Sequence, residues 1–362
     1  MARLDTICSI NMGASPDSST YNESREGLPF YQGNADFGEK HPTPRIWCKV
    51  PVKVARKGDV LISVRAPIGA LNIAAEQCCI GRGLAALTVN ETICDTGYLW
   101  YGIISKIDEL NAKGTGSTFK AISRKILEET DIPLPDLPTQ RRIAATLDKV
   151  SEGIALCKQM LMDLDELVKS QFVEMFGDPT INSHRLPQKT LPELGENLDS
   201  RRIPITSSDR KAGQYPYYGA SGIVDYVDGF IFDEDILLIS EDGANLLARV
   251  TPIAFPASGK VWVNNHAHVM RFDSMAKQVY IEYLLNMIDI SNYVTGTAQP
   301  KLNQAKLNTI PIPVPEEAQM ERFRELTEQS DKSKYAVQQQ LAELETLKKS
   351  LMQKYLDKRR ML

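Results

Sequence analysis

The chain's 362 residues are ordinary for two or three domains, and its 43% hydrophobic content can bury a sizeable core, which excludes a disordered chain. No apolar run approaches the ~18–20 residues that a membrane span needs, so no membrane partner is expected. A net charge of −4, with 15 basic and 15 acidic side chains in residues 1–135 and no strongly basic segment elsewhere, excludes a globally basic nucleic-acid binder, so any anionic partner must meet a local basic face.

The opening, MARLDTICSINMGAS, lacks the charged-then-apolar build of a secretory signal. Six cysteines without a CxxC pair suit reduced thiols in a cytoplasmic protein. Residues 1–137 read as a compact α+β domain. Its short β-branched runs, such as VLISV, are bounded by Gly, Pro, Asn and Asp, and a helical patch covers 95–110. From 138 to 178 the pattern changes. Apolar residues at 143, 147, 150, 154, 157, 161, 164, 168 and 175 alternate four and three apart, which is the seam of a coiled coil. Thr139 is the expected cap, and Gly177 with Pro179 the stop. About 38 residues at 1.5 Å each make a rod of roughly 55 Å.

Residues 179–315 read as a second α+β domain, with ILLIS and KVWVNNHAHVMRF as strands and a helical patch at 275–289. Residues 316–362 read as a second rod, seamed by Phe323, Leu326, Val337, Leu341, Leu344, Leu347, Leu351 and Tyr355. A polar gap, EQSDKSK at 328–334, weakens the middle of that seam and can bend the helix.

The second half repeats the first. At an offset of about 180, Ile122 falls on Leu302, Leu127 on Leu307, IPLP (132–135) on IPVP (312–315) and Ile143 on Phe323. LPFYQG (28–33) also resembles YPYYGA (215–220), and DVLISV (59–64) resembles DILLIS (235–240). A period this long means two copies of a domain-sized unit. An amphipathic helix of this length needs a partner for its apolar stripe, and its own duplicate is available. The expected fold is therefore α+β: two tandem globular α/β-mixed domains joined by two long antiparallel coiled-coil helices with internal pseudo-two-fold symmetry.

Several stretches together resemble one family, the specificity subunits of type I restriction-modification systems. They are GLPFYQGNAD, GDVLISVRAPIGALNIA and IGRGLAALTV in the first half, YPYYGASGIVDYVDGFIFDEDILLISEDGANL in the second, and the junctions GTGSTFKAIS…IPLPDLPTQRRIAATLD and GTAQPKLN…IPIPVP. The resemblance covers essentially the whole chain. It implies that each globular domain is a target recognition domain reading one half of a split double-stranded DNA target. It also implies that the helices are spacers that set the distance between half-sites and dock two methylation subunits, with restriction subunits joining that core. S-adenosylmethionine, ATP and Mg would then sit only on partner subunits, and the chain itself would carry no cofactor and no catalysis. On a helical ruler, one heptad moves a reader by ~10 Å, about three base pairs. Near-neutral domains also imply weak DNA binding without partners.

The candidate DNA-binding residues lie on loops. Arg65 (SVRAPIG) and Arg82 (GRGL) have the donor fork that suits guanine edges and phosphate. Lys120 and Lys301 sit in the repeated junction, where they could clamp phosphate in both copies. Tyr217, Tyr218 and Asn245 lie in Gly-rich loops, and Asn264 lies in WVNNHAH; tyrosine contacts phosphate and asparagine reads adenine, although turn chemistry uses the same residues. His266 and His268 are two apart on an expected strand, but no third ligand accompanies them, so no metal is expected. Asp36-Phe37-Gly38 copies a kinase triplet without the rest of the kinase set. No phosphate-binding loop, adenine-methylase box or nuclease carboxylate cluster is evident. The competing reading is a coiled-coil scaffold that spaces two protein-binding modules and never touches DNA.

Overall fold

The computed structural model describes residues 1–116, 120–296 and 298–356. Ser117, Thr118, Phe119 and Thr297, which belong to the two repeated junctions, lie outside the described residues, as does the tail of the second rod. The chain divides into two compact units. Unit 1 is Met1–Lys158 with the chain from Gln339 on, and unit 2 is Gln159–Gln338.

Unit 1 holds two main sheets. The first has four antiparallel strands in the order Cys8–Met12, Leu84–Val89, Val60–Ser63, Leu71–Ile73. The second has five, in the order Tyr21–Asn22, Ile46–Cys48, Leu28–Tyr31, Cys78–Ile80, Val54–Ala55. Its one parallel pair sets Tyr31 beside Ile80. The helix Thr96–Ile104, capped by Asp95, buries Tyr98 and Leu99 against the first sheet.

Unit 2 builds the same pattern. Its first sheet runs Gly195–Asn197, Ala267–Phe272, Ile236–Ser240, Ala254–Ala257. Its second runs Gly222–Val227, Ala212–Gly219, Lys260–Val263, Phe232–Asp233, again with one parallel pair, which sets Tyr218 beside Val263. The helix Met275–Met287 takes the place of Thr96–Ile104. In both units a buried tyrosine hydroxyl donates to the proline carbonyl just ahead of a long helix, Tyr98 to Pro133 at 2.9 Å and Tyr280 to Pro313 at 2.7 Å. The duplication is thus one backbone register built twice.

That register fixes residue equivalences that letter matching does not. Ser63 pairs with Leu84, and Ser240 with Ala267. Val64 N–H donates to Gly83 O, and Glu241 N–H to His266 O. Arg65 therefore corresponds to Asp242, Arg82 to Asn265, and Gly83 to His266. Thr115 bridges Ala121 and Thr295 bridges Lys301, so the partner of Lys301 is Ala121. Lys120 answers to Pro300, whose carbonyl accepts from Gly243 as that of Lys120 accepts from Ala66. Lys120 and Lys301 are not a matched pair.

The two long helices are Leu137–Phe176 and Glu317–Leu356. Within unit 1, Ile143, Ala144 and Leu147 of the first share a core with Leu351, Met352, Tyr355 and Leu356 of the second, and Gly153 sits against Leu344. Within unit 2, Phe172 and Phe176 meet Phe323 edge-on, with ring centroids 5.3 and 5.5 Å away. There Lys334 also pairs with Asp165 at 2.6 Å. In each unit the helices run antiparallel.

Details differ from expectation. The cap of the first helix is Asp136, whose Oδ1 accepts from Thr139 N–H at 3.0 Å; Thr139 is already inside the first turn. Gly177, at φ +81, ends it as expected. The seam near that end includes Phe172 and Phe176, whose rings pack beside Tyr280, with Met175 partly buried against the same core. Leu347 is 45% exposed and lies off the seam. The second helix is continuous through the polar gap, burying Ser330 within it and Thr327 just before it.

Candidate nucleic-acid interface

Unit 1 brings Arg65 and Arg82 together. Both line a cavity of about 240 Å³ with Gln32, Asn34 and Gly83. Arg65 follows the strand Val60–Ser63 and is held by a bridge to Ala121. The Ser63 hydroxyl fixes the loop beyond it, donating to Pro67 O at 2.6 Å and accepting from Ala70 N–H at 3.0 Å. Arg82 rides a turn that presses on the chain at Gln32. A Cβ on Gly83 would lie 2.4 Å from Gln32 O, so only glycine allows the approach. Among the described residues, neither guanidinium has a hydrogen-bond or ion-pair partner, and both are exposed. Lys120, on the segment bridged to Arg65, is exposed and unpaired in the same sense. Arg65 and Arg82 form the local basic face that overall charge leaves room for, with Lys120 on the segment bridged to Arg65.

The matching place in unit 2 has different chemistry. Asp242 stands for Arg65 and is 2.8 Å from His266 Nδ1, while Asn265 stands for Arg82. Here the small residue has moved to the opposite strand: Gly219 lies beside Asn264, where unit 1 has Gln32 beside Gly81. Below this loop lies a charge network. His268 Nδ1 faces Asp199 Oδ2 at 2.6 Å, and its Nε2 faces Leu302 O at 2.8 Å. Both partners are acceptors. Arg202 pairs with Glu241 at 2.7 Å and Lys301 pairs with Glu241 at 3.1 Å. Burial works to raise both carboxyls. His268 and the Val269 N–H outweigh it at Asp199, and Arg202, Lys301 and the charge on His268 at Glu241, so both sit below the usual carboxylate range.

Three candidates in unit 2, Tyr217, Asn245 and Asn264, have their polar groups engaged within the fold, and a fourth, Lys301, is ion-paired. Tyr217 is 1% exposed, with its hydroxyl on Ile205 and Arg210 over its ring at 4.5 Å; it is a core residue in the position of Phe30. Asn245 spends its amide on Thr251, donating to its carbonyl at 2.9 Å and accepting from its N–H at 3.0 Å. Asn264 is 5% exposed and accepts from His266 N–H at 2.7 Å. Lys301 is half exposed and reaches Glu241 from the edge of the network. Tyr218 is half-buried against Phe255, and burial raises its hydroxyl pKa. His266 and His268 each have a carboxylate partner, and no metal-holding cluster occurs among the described residues. In unit 1, Asp36 closes its own loop, accepting from Gln32 N–H and pairing with Arg45.

Sequence reading missed Gln32, Asn34 and Asp242. Asp242 was out of reach of the sequence repeat, because matching DVLISV to DILLIS sets Glu241 opposite Arg65 and only the strand register shifts the match by one residue.

The model of the type I restriction modification DNA specificity domain matches residues 1–165 and again 188–346. The chain belongs to that family. A putative type I restriction enzyme specificity subunit, MjaX, of Methanocaldococcus jannaschii is 41% identical over 44% of this chain and 38% of its own length. A putative type I restriction enzyme specificity subunit of Haemophilus influenzae is 34% identical over 39% of this chain and 36% of its own. These matches span less than two fifths of those relatives. The solved structure of a type I restriction-modification system S subunit from M. genitalium covers 98% of this chain and 94% of its own, with a TM-score of 0.64 at 14% identity. The likeness of fold therefore extends over nearly the whole chain. No helix among the described residues is long and apolar enough to cross a membrane.

Proposed function

We propose that this chain is the DNA-recognition subunit of a type I restriction-modification assembly and acts in the cytoplasm. Each unit meets one half of a bipartite duplex target. The paired helices dock two methylation subunits, and restriction subunits join that core. The chain positions chemistry and performs none; S-adenosylmethionine, ATP and Mg belong to its partners.

One observation carries this reading: a single backbone register is built twice, with different side chains on the equivalent loops. A duplicated frame with diverged loops suits two readers of different half-sites. The Arg65–Arg82 face, without an ion-pair partner among the described residues and with Lys120 on the segment bridged to Arg65, adds the donors a duplex requires. The near-neutral surface adds little counterion-release affinity, so tight, selective binding is expected only with partners present.

The test is a domain replacement. Residues 1–135 are exchanged for the equivalent segment of a relative, and methylated positions are mapped with the assembled complex. The modified sequence is expected to change in one half only. An unchanged sequence would favour the scaffold that spaces two protein-binding modules.

A further inference from the structure

The loop after the central strand of the first sheet carries Arg65 in unit 1 and Asp242 in unit 2, at one backbone position. Its neighbours follow: Arg82 against Asn265, Lys120 against Pro300, Gln32 against Gly219. If both units meet a duplex in the same pose, such a position cannot face phosphate in both. A carboxylate 3–4 Å from a phosphate is repelled, and the whole backbone is anionic. Base edges tolerate the reversal, because the major groove offers acceptors at one base and a donor at another.

We propose that this position reads a base edge with opposite polarity in the two units, and this rests on the DNA-recognition reading above. In unit 1 the Arg65–Arg82 cavity takes the edge of a guanine, whose N7 and O6 both accept. Gln32 and Asn34 line the same cavity and present planar amide groups to that edge. In unit 2 the Asp242 carboxylate, held by His266 at 2.8 Å, accepts from an exocyclic amino group, that of adenine or cytosine. The glycine that lets Arg82 close on the cavity is replaced by His266 in unit 2, where the turn carries no cation to deliver.

The experiment uses the full chain assembled with its methylation subunits on DNA of random sequence, reading modified sites by sequencing. Arg65→Gln and Arg82→Gln, singly, are expected to relax a guanine requirement about tenfold or more at one position of one half-site, with the other half-site unchanged. Asp242→Asn is expected to relax an adenine or cytosine requirement in the opposite half-site, and the base released says which amino group was read. Arg65 and Arg82 are exposed and the Asp242 side chain is 15% exposed beside the more open His266, so melting curves check that the variants remain folded. A uniform fall in methylation at an intact sequence would mean a backbone clamp and overturn the proposal, as would unchanged sequence and rate. The domain replacement separates the two failures. If it changes a half-site while the point variants do not, the base assignment alone is wrong. If it changes nothing, the DNA-recognition reading falls.

Discussion

Where unit 1 packs Met12, Val64 and Ala85 into its apolar core, unit 2 carries Asp199, Glu241 and His268 at the matching register positions, with Lys301 in the place of Ala121. The frame around them is the same, so the backbone register tolerates both fillings. The difference lies in how each junction is held. In unit 1 the junction strand reaches Val64 O through Ile122 N–H at 2.9 Å. In unit 2 the equivalent Leu302 N–H reaches Glu241 O at 2.8 Å, and the Leu302 carbonyl is also gripped by His268. Buried ion clusters contribute little net stability against an apolar filling but are costly to break piecemeal.

The comparison can be broken most sharply at His268. Replacing it alone by Ala leaves Leu302 O without its side-chain donor and Asp199 with only Arg202 and the Val269 N–H, and should cost about 1–3 kcal/mol in urea unfolding. Trp262 is the only tryptophan in unit 2, so a Trp47→Phe/Trp100→Phe background reports that unit alone. Installing the apolar sibling set, Asp199→Met, Glu241→Val, His268→Ala and Lys301→Ala, with Arg202→Met to remove the last charge, should recover most of the loss. If the fivefold variant is no more stable than His268→Ala, the two fillings are not interchangeable.

A second difference lies on the helices that carry Tyr98 and Tyr280: counted from those tyrosines, unit 1 has Trp100 where unit 2 has Glu282. In unit 2, burial first and Asp331 second push the Glu282 carboxyl up to about 7. The unfolded chain releases this proton near pH 4.5, whereas the folded chain keeps it to about 7. The folded state therefore binds the extra proton across that window, and stability falls as pH rises through it. Glu282→Gln should remove that slope and raise stability at pH 8 by at most about 3 kcal/mol. Denaturant midpoints compared at pH 5 and pH 8 check it; an unchanged slope would place the sensitivity elsewhere.

The smallest expected effect concerns the helix starts. Asp136 caps the first long helix, whereas Glu316 offers only its backbone carbonyl to the second, accepting from Gln319 and Met320 N–H. Asp136→Ala should lower Tm by about 2 °C and Glu316→Ala by less. Equal shifts in calorimetry would argue against the asymmetry.

Much of this architecture was legible because burial imposes periodicity. The four-three seams gave both rods, and IPLP and IPVP, ahead of those rods, gave the duplication. The site was less legible because turn-forming and base-reading loops draw on the same residues. Asn245 and Asn264 are loop staples, and a table of residue types cannot tell a staple from a reader. Tyr217 looked like an exposed loop residue, yet strand alternation puts it where Phe30 sits, facing inward. The Lys120–Lys301 match followed side-chain identity, while the backbone bridges align Lys301 with Ala121. Whether a cation is free depends on where acids lie in space: among the described residues Arg65 and Arg82 have no ion-pair partner, and Lys301 has Glu241.

Unit 2 is one uninterrupted stretch of chain, while unit 1 needs residues from both ends of the sequence. On the ribosome, Gln159–Gln338 can collapse as soon as it emerges. Residues 1–158 must wait with Ile143, Ala144 and Leu147 uncovered until Leu351, Met352, Tyr355 and Leu356 arrive. Of the two units, the one that begins to emerge first is thus the last to close, because its core is completed across the whole of unit 2.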